Sequence, residues 1–113
     1  MLIADYRFGE IEIGSGKYRQ DIIIHADKVE PWLCSDHHDP NLADFAEVLQ
    51  EKPDILLIGS GYSELMKVRK SVKQALEKEI PKVLIFNTRK ASRVYNKLAA
   101  KNKNMIACFH LTC

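Results

Sequence analysis

Three groups of residues in this 113-residue chain have the types and spacing to do chemistry. The first is Gly59-Ser60-Gly61, which follows the apolar run Ile55 to Ile58. In open α/β sheets, ligands bind beyond the carboxyl ends of strands, where glycine lets backbone N–H groups approach an anion at a helix start. Asn87-Thr88-Arg89 follows the next apolar run and is expected beside that turn. Gly59, Ser60, Gly61, Asn87, Thr88 and Arg89 thus make a candidate pocket in which Ser60 and backbone N–H groups hold an anion and Arg89 neutralises it. Neither familiar phosphate motif is complete. A dinucleotide fingerprint needs a third glycine where the chain has Glu64, and an acidic residue where it has Asn87. A P-loop needs Gly-Lys-Ser/Thr within Gly59 to Met66, which is absent. The preferred reading is a tight strand-to-helix turn, with Asn87 or Thr88 as a helix N-cap.

The second group is Cys34-x-x-His37-His38 with His110-x-x-Cys113, whose spacing suits zinc. His110 and Cys113, however, fall on or just past an expected strand, where residues three apart point to opposite faces. Cys113 is also the last residue and prone to fray. We therefore expect no metal and no cofactor. Cys34 with His37, or Cys108 with His110, would be the pair of a thiol nucleophile, yet neither has the glycine-rich or helix-terminal setting that lowers a thiol pKa. No catalytic residue is assigned, and the expectation leans against an enzyme.

The third group is basic. Residues 1–60 hold 5 Lys/Arg against 12 Asp/Glu, and residues 61–113 hold 12 against 3, so a net charge of +2 conceals a strong sequence dipole. Lys90, Arg93, Lys97 and Lys101 form one stripe at helical spacing, a candidate partner-binding face. Aromatic interleaving for base stacking is missing from it, so nucleic acid is not the expected partner. A protein partner is, and so is a second copy of the chain, given opposite charges in the two halves and strand edges to protect.

These residues need a scaffold. Tyr6 to Ile13 alternates apolar and polar, Gly14-Ser15-Gly16-Lys17 reads as a turn, and Tyr18 to His25 resumes the strand pattern, which together predict a hairpin. Asp27 to Cys34 reads as an irregular edge strand, because Pro31 cannot donate to a ladder. Leu42, Phe45, Ala46 and Leu49 predict an amphipathic helix over residues 40–51, with Asp39-Pro40 at its start. Ile55 to Ile58 and Val83 to Phe86 have the continuous apolar character of strands buried on both faces. A helix beginning within 63–70 and running to Glu79 carries Leu65, Val68, Val72 and Leu76 inward; a third, 89–102, carries Ala91, Val94, Tyr95, Leu98 and Ala99. Met105 to Leu111 is the last strand. The sum is one domain, residues 1–113, with an α/β fold in three layers: a central mixed, largely parallel sheet, helices on one side and the N-terminal β-hairpin layer. No apolar run approaches the roughly 20 residues of a membrane helix. Met1 to Ile13 has neither a basic n-region nor an apolar h-region, and the odd cysteine number suits reduced thiols, so a cytoplasmic location is expected.

Asp54-Ile-Leu-Leu-Ile-Gly-Ser-Gly61, then Asn87-Thr88 with Ala91 and Tyr95-Asn96-Lys-Leu98, then Phe109-His110-Leu-Thr-Cys113, resemble the adipogenesis-associated domain-containing protein family. The superfamily includes the NADH dehydrogenase complex I assembly factor 3 of mitochondria and small archaeal and bacterial proteins of unknown function. The resemblance runs from Phe8-Gly9 onward and implies the same three-layer fold. It implies no reaction or cofactor, and the chain looks nearer to the stand-alone cytosolic members. A small protein of unknown function that acts by interaction, in the manner of an assembly factor, is the expectation; the alternative is a small-molecule or anion binder at the Gly59-Ser60-Gly61 turn.

Overall fold

A computed structural model describes residues 1–101 and 104–113. Strands β1 (Ile3–Arg7), β2 (Glu10–Ile13) and β3 (Gly16–Tyr18) form a three-stranded antiparallel meander. β4 (Ile22–Ile24), β5 (Val29–Pro31), β6 (Ile55–Ser60), β7 (Lys82–Phe86) and β8 (Met105–His110) form a five-stranded sheet in the order β5-β4-β8-β6-β7. β8 pairs parallel to β6 and antiparallel to β4. A 3-10 turn (Leu42–Phe45) leads into α1 (Ala46–Glu51), and α2 (Lys70–Glu79) and α3 (Thr88–Ala99) follow.

The α/β class and mixed central sheet stand as expected, with three differences. Half of the pairings in the larger sheet are antiparallel, so it is less parallel than expected. The strand expected over 6–13 starts at Ile3 and turns back at Phe8-Gly9, with Gly9 at φ +78°. Its expected partner, 18–25, is divided between the two sheets. Ile22, Ile23 and Ile24 are all buried, and a three-residue apolar run needs cover on both faces. Only the larger sheet supplies it: Ile22 and Ile24 join the core under α3 and the meander, while Ile23 faces Trp32, Phe45 and Val72.

The layers follow from those two cores. α1 and α2 cover one face of the larger sheet with Val48, Val72 and Leu76. α3 lies on the other face beside the meander, not with the remaining helices, because its apolar line packs on Leu57, Ala107 and Phe109. That line is the expected one, Ala91, Val94, Tyr95, Leu98 and Ala99. The expected end of this helix, residue 102, lies outside the described residues. The first helix is shorter than 40–51. The 3-10 turn before it is capped by Asn41, whose side chain accepts from Asp44 N–H while Asp44 accepts from Asn41 N–H, so Asp39-Pro40 remains outside. α2 begins only at Lys70, and Leu65, expected on its inner line, is exposed. No helix among the described residues is long and apolar enough to cross a membrane.

Candidate functional site

Gly59 and Ser60 end β6 and Gly61 follows it; all three are buried, and their polar groups point into the protein. Gly61 N–H donates to Thr88 Oγ1 at 2.8 Å, and that hydroxyl donates to the His110 carbonyl at 2.6 Å. Ser60 Oγ donates to the Phe86 carbonyl at 3.2 Å. The Gly61 carbonyl accepts from Thr88 N–H, and the Tyr62 and Leu65 N–H groups donate to the carbonyls of Thr112 and Cys113. The turn is therefore a junction of β6, β8 and α3. Within the expected pocket, Gly61 N–H and the Ser60 and Thr88 hydroxyls are committed to internal partners. Asn87 caps α3 by accepting from Lys90 N–H at 2.9 Å. Of the six residues, Arg89 lines an open cleft.

That cleft, about 350 Å³, lies between β1 and α3 and is lined by Ile3, Asp5, Tyr6, Arg89, Arg93 and Asn96 among others. Asn96 joins its walls, since the amide both donates to the Ile3 carbonyl and accepts from Ile3 N–H at 2.8 Å. Asp5 is matched by Arg7 at 2.8 Å. Arg89 and Arg93 are exposed, and neither lies within 4.0 Å of a carboxylate among the described residues. The Arg89 guanidinium rests over the ring of Tyr62, 4.7 Å from its centre, and Phe8 packs edge-on against the same ring at 5.8 Å. Lys90, Lys97 and Lys101 are exposed along the same helix and just past its end. Tyr62, which lies just before the helix start expected within 63–70, carries no motif or spacing that singles it out in the sequence.

A second site lies at the same end of the sheet, on the face of α1 and α2. His110 ends β8, Asp21 precedes β4, and His37 comes from the loop between β5 and the 3-10 turn. Asp21 Oδ2 faces His110 Nδ1 at 2.6 Å and also contacts His37 Nδ1, while Asp21 Oδ1 accepts from Leu111 N–H at 2.8 Å. The His37 and His110 rings stack with centres 5.9 Å apart. Burial by itself raises the Asp21 pKa, but hydrogen bonds from His110 and Leu111 and the nearby imidazoles outweigh it and hold the carboxyl below its usual range. A cleft of about 380 Å³ opens beside the group, lined by Arg19, Gln20, Trp32, Leu33 and Thr112.

Of the Cys/His set weighed from the sequence, His37 and His110 meet at Asp21, which carries no local signal, and the His38 ring packs edge-on against that of His110 at 5.4 Å. Cys34 and Cys108 stay apart from this cluster, and burial raises both thiol pKa values, Cys34 to about 12 with help from Asp44, Asp21 and Asp36. At pH 8 the Cys34 thiol is then almost wholly protonated. Iodoacetamide at that pH should alkylate Cys34 and Cys108 slowly in the folded protein and rapidly in urea, as peptide mass spectrometry would show. Free-thiol rates at Cys34 in the folded state would contradict this environment.

Known structures share this architecture over nearly their whole length. The conserved hypothetical protein PH1505 from Pyrococcus horikoshii OT3 is 24% identical, with 100% of both chains covered and a TM-score of 0.86. MT938 is 25% identical over 99% of this chain and 98% of its own, with a TM-score of 0.82. A Bartonella henselae protein described as an outer membrane protein is 25% identical over 98% of this chain and 94% of its own, also at 0.82. Residues 3–110 match the family described as "Protein of unknown function (DUF498/DUF598)", and the chain belongs to that family.

Proposed function

We propose that the protein is a cytoplasmic interaction module without catalysis of its own, close to the adipogenesis-associated domain-containing proteins, and that its α3 face receives an acidic segment of a partner protein. The observation that carries this reading is the pair Arg89 and Arg93 at the mouth of the β1–α3 cleft, exposed and unmatched by carboxylates among the described residues. Lys90, Lys97 and Lys101 extend the positive charge along the helix. Phe8 and Tyr62 add the aromatic surface that commonly anchors protein interfaces. Opposite charge supplies steering and register, and the aromatic pair supplies burial.

A labelled Glu-rich peptide tests this by fluorescence anisotropy. Saturable binding is expected, weakening as salt rises. Replacing both Arg89 and Arg93 with Ala should weaken it about tenfold, as loss of two partly screened charge contacts of about 0.7 kcal/mol each would. Charge reversal at Arg93 and Lys97 should abolish it with the circular dichroism spectrum unchanged. Binding that ignores these substitutions, or no binding at low salt, would overturn the reading. A small phosphate-bearing metabolite is the alternative occupant, since the cleft has room for one. Competition by inorganic pyrophosphate at lower concentration than the peptide would favour it.

A further inference from the structure

We infer that Asp21, His37 and His110 form a three-ligand site for a divalent transition-metal ion such as Zn²⁺, with its remaining coordination position open to the adjoining cleft. Three segments distant in sequence bring two imidazole nitrogens to one carboxylate oxygen, Asp21 Oδ2. The Asp21 and His110 side chains are 8% and 4% exposed, so two of the three donors are buried. The other carboxylate oxygen is held by Leu111 N–H, which turns Oδ2 toward both rings, as outer-shell hydrogen bonds do for metal ligands. His37 Nδ1 is shut off from solvent and faces the same oxygen without the alignment of a hydrogen bond. A polar atom left in that condition normally has a partner. An ion between the three groups would provide it.

The donors define the class of ion. Two imidazoles and one carboxylate, with no thiolate among them, suit Zn²⁺ or Fe²⁺ better than Ca²⁺ or Mg²⁺, which prefer all-oxygen shells. Three protein ligands leave a tetrahedral ion one further position, the pattern of metal sites that accept water or a substrate atom. Here that position adjoins the cleft walled by Trp32 and Leu33. Tetrahedral bonds of about 2.0–2.1 Å set donors roughly 3.3 Å apart, so an ion would widen the present contacts by less than about 1 Å. His37, on a loop and 37% exposed, can supply that movement. The placement also agrees with topology. The group stands at the carboxyl ends of β6 and β8, where the sheet changes from parallel to antiparallel pairing and where open α/β sheets bind ligands.

A rival donor set serves as the control. His25 Nε2 lies 2.7 Å from Glu30 Oε1 and 4.0 Å from Glu47 Oε2, at the other end of β4. The Glu47 side chain is 62% exposed, and Glu47 lines a separate, smaller cleft of about 190 Å³ with Ala43 and Asp44. Untagged, chelator-treated protein would be titrated with Co²⁺ by visible absorption and with Zn²⁺ by calorimetry. The wild type and Glu47→Gln should each bind one ion per chain with micromolar or tighter affinity. Asp21→Asn and His37→Ala should each bind at least about tenfold more weakly. The Asp21→Asn side chain can still accept the Leu111 N–H, and circular dichroism would verify that both variants fold. Failure of the wild type to bind at micromolar concentrations would overturn the inference. So would equal binding by Asp21→Asn and His37→Ala, or a loss confined to Glu47→Gln.

Discussion

Gly61→Ala is expected to destabilise the fold by about 3–5 kcal/mol, lowering the melting temperature by roughly 10–20 °C for a domain of this size. Two costs combine. Gly61 has φ +105°, which L side chains adopt only under strain of about 1–3 kcal/mol. An added Cβ would also stand 2.6 Å from the Thr112 carbonyl oxygen and the Cys113 carbonyl carbon, and 2.8 Å from His110 Cδ2. Two of those neighbours are backbone, so relief requires the chain after β8 to shift, the kind of overpacking that adds about 1–3 kcal/mol. Gly14→Ala separates the two costs. Gly14 also has positive φ, +58°, yet a Cβ there meets nothing within 4 Å, so about 1 kcal/mol is expected. Urea unfolding of both variants would measure the difference. If they lose the same stability, the close approach at Gly61 has no energetic weight.

The same glycine shows how far sequence can be read. Gly59-Ser60-Gly61 after Ile55 to Ile58 announces a tight strand-to-helix turn, whereas β6 runs on through Ser60, the chain turns only after Gly61, and the next helix begins at Lys70. The spacing carries no information on which way the amides face. Their inward direction is set by Thr88, 27 residues on, and by the chain after β8, whose arrival no local pattern reports. Local periodicity did find α3, because its apolar line meets one continuous surface. It located the N-terminal strands but mispaired them. Alternation says that Ile22 to Ile24 is extended and buried, and only the tertiary fold decides which sheet buries it. The histidines mark the sharper limit. His37 and His110 stand out by type, but neighbouring cysteines suggest a zinc pattern defined by spacing. The partner they find is Asp21, 89 residues from His110 and placed by the antiparallel pairing of β4 with β8. A mispaired β4 therefore hides Asp21 as well.

Thr88→Val should cost about 2–4 kcal/mol although it leaves shape and volume almost unchanged. Thr88 is fully buried, and its hydroxyl both accepts from Gly61 N–H and donates to the His110 carbonyl. Valine keeps the branched shape and removes both bonds. A buried N–H and a buried C=O are then stranded at once, at about 1–3 kcal/mol each, less whatever relaxation admits water. Thr88→Ser keeps the hydroxyl and loses one methyl, so about 1 kcal/mol is expected. If packing rather than hydrogen bonding held the junction, that order would reverse and the serine variant would be the weaker. A double-mutant cycle with Gly61→Ala gives a second reading. Gly61 N–H and the Thr88 hydroxyl are partners at 2.8 Å, so once Gly61→Ala has displaced the strand ends, loss of the hydroxyl should cost less than it does alone. Additive losses would mean that each residue acts by itself. Coupled losses would mean that one junction joins β6, β8 and α3, and this junction sets the backbone that carries both Arg89 and His110.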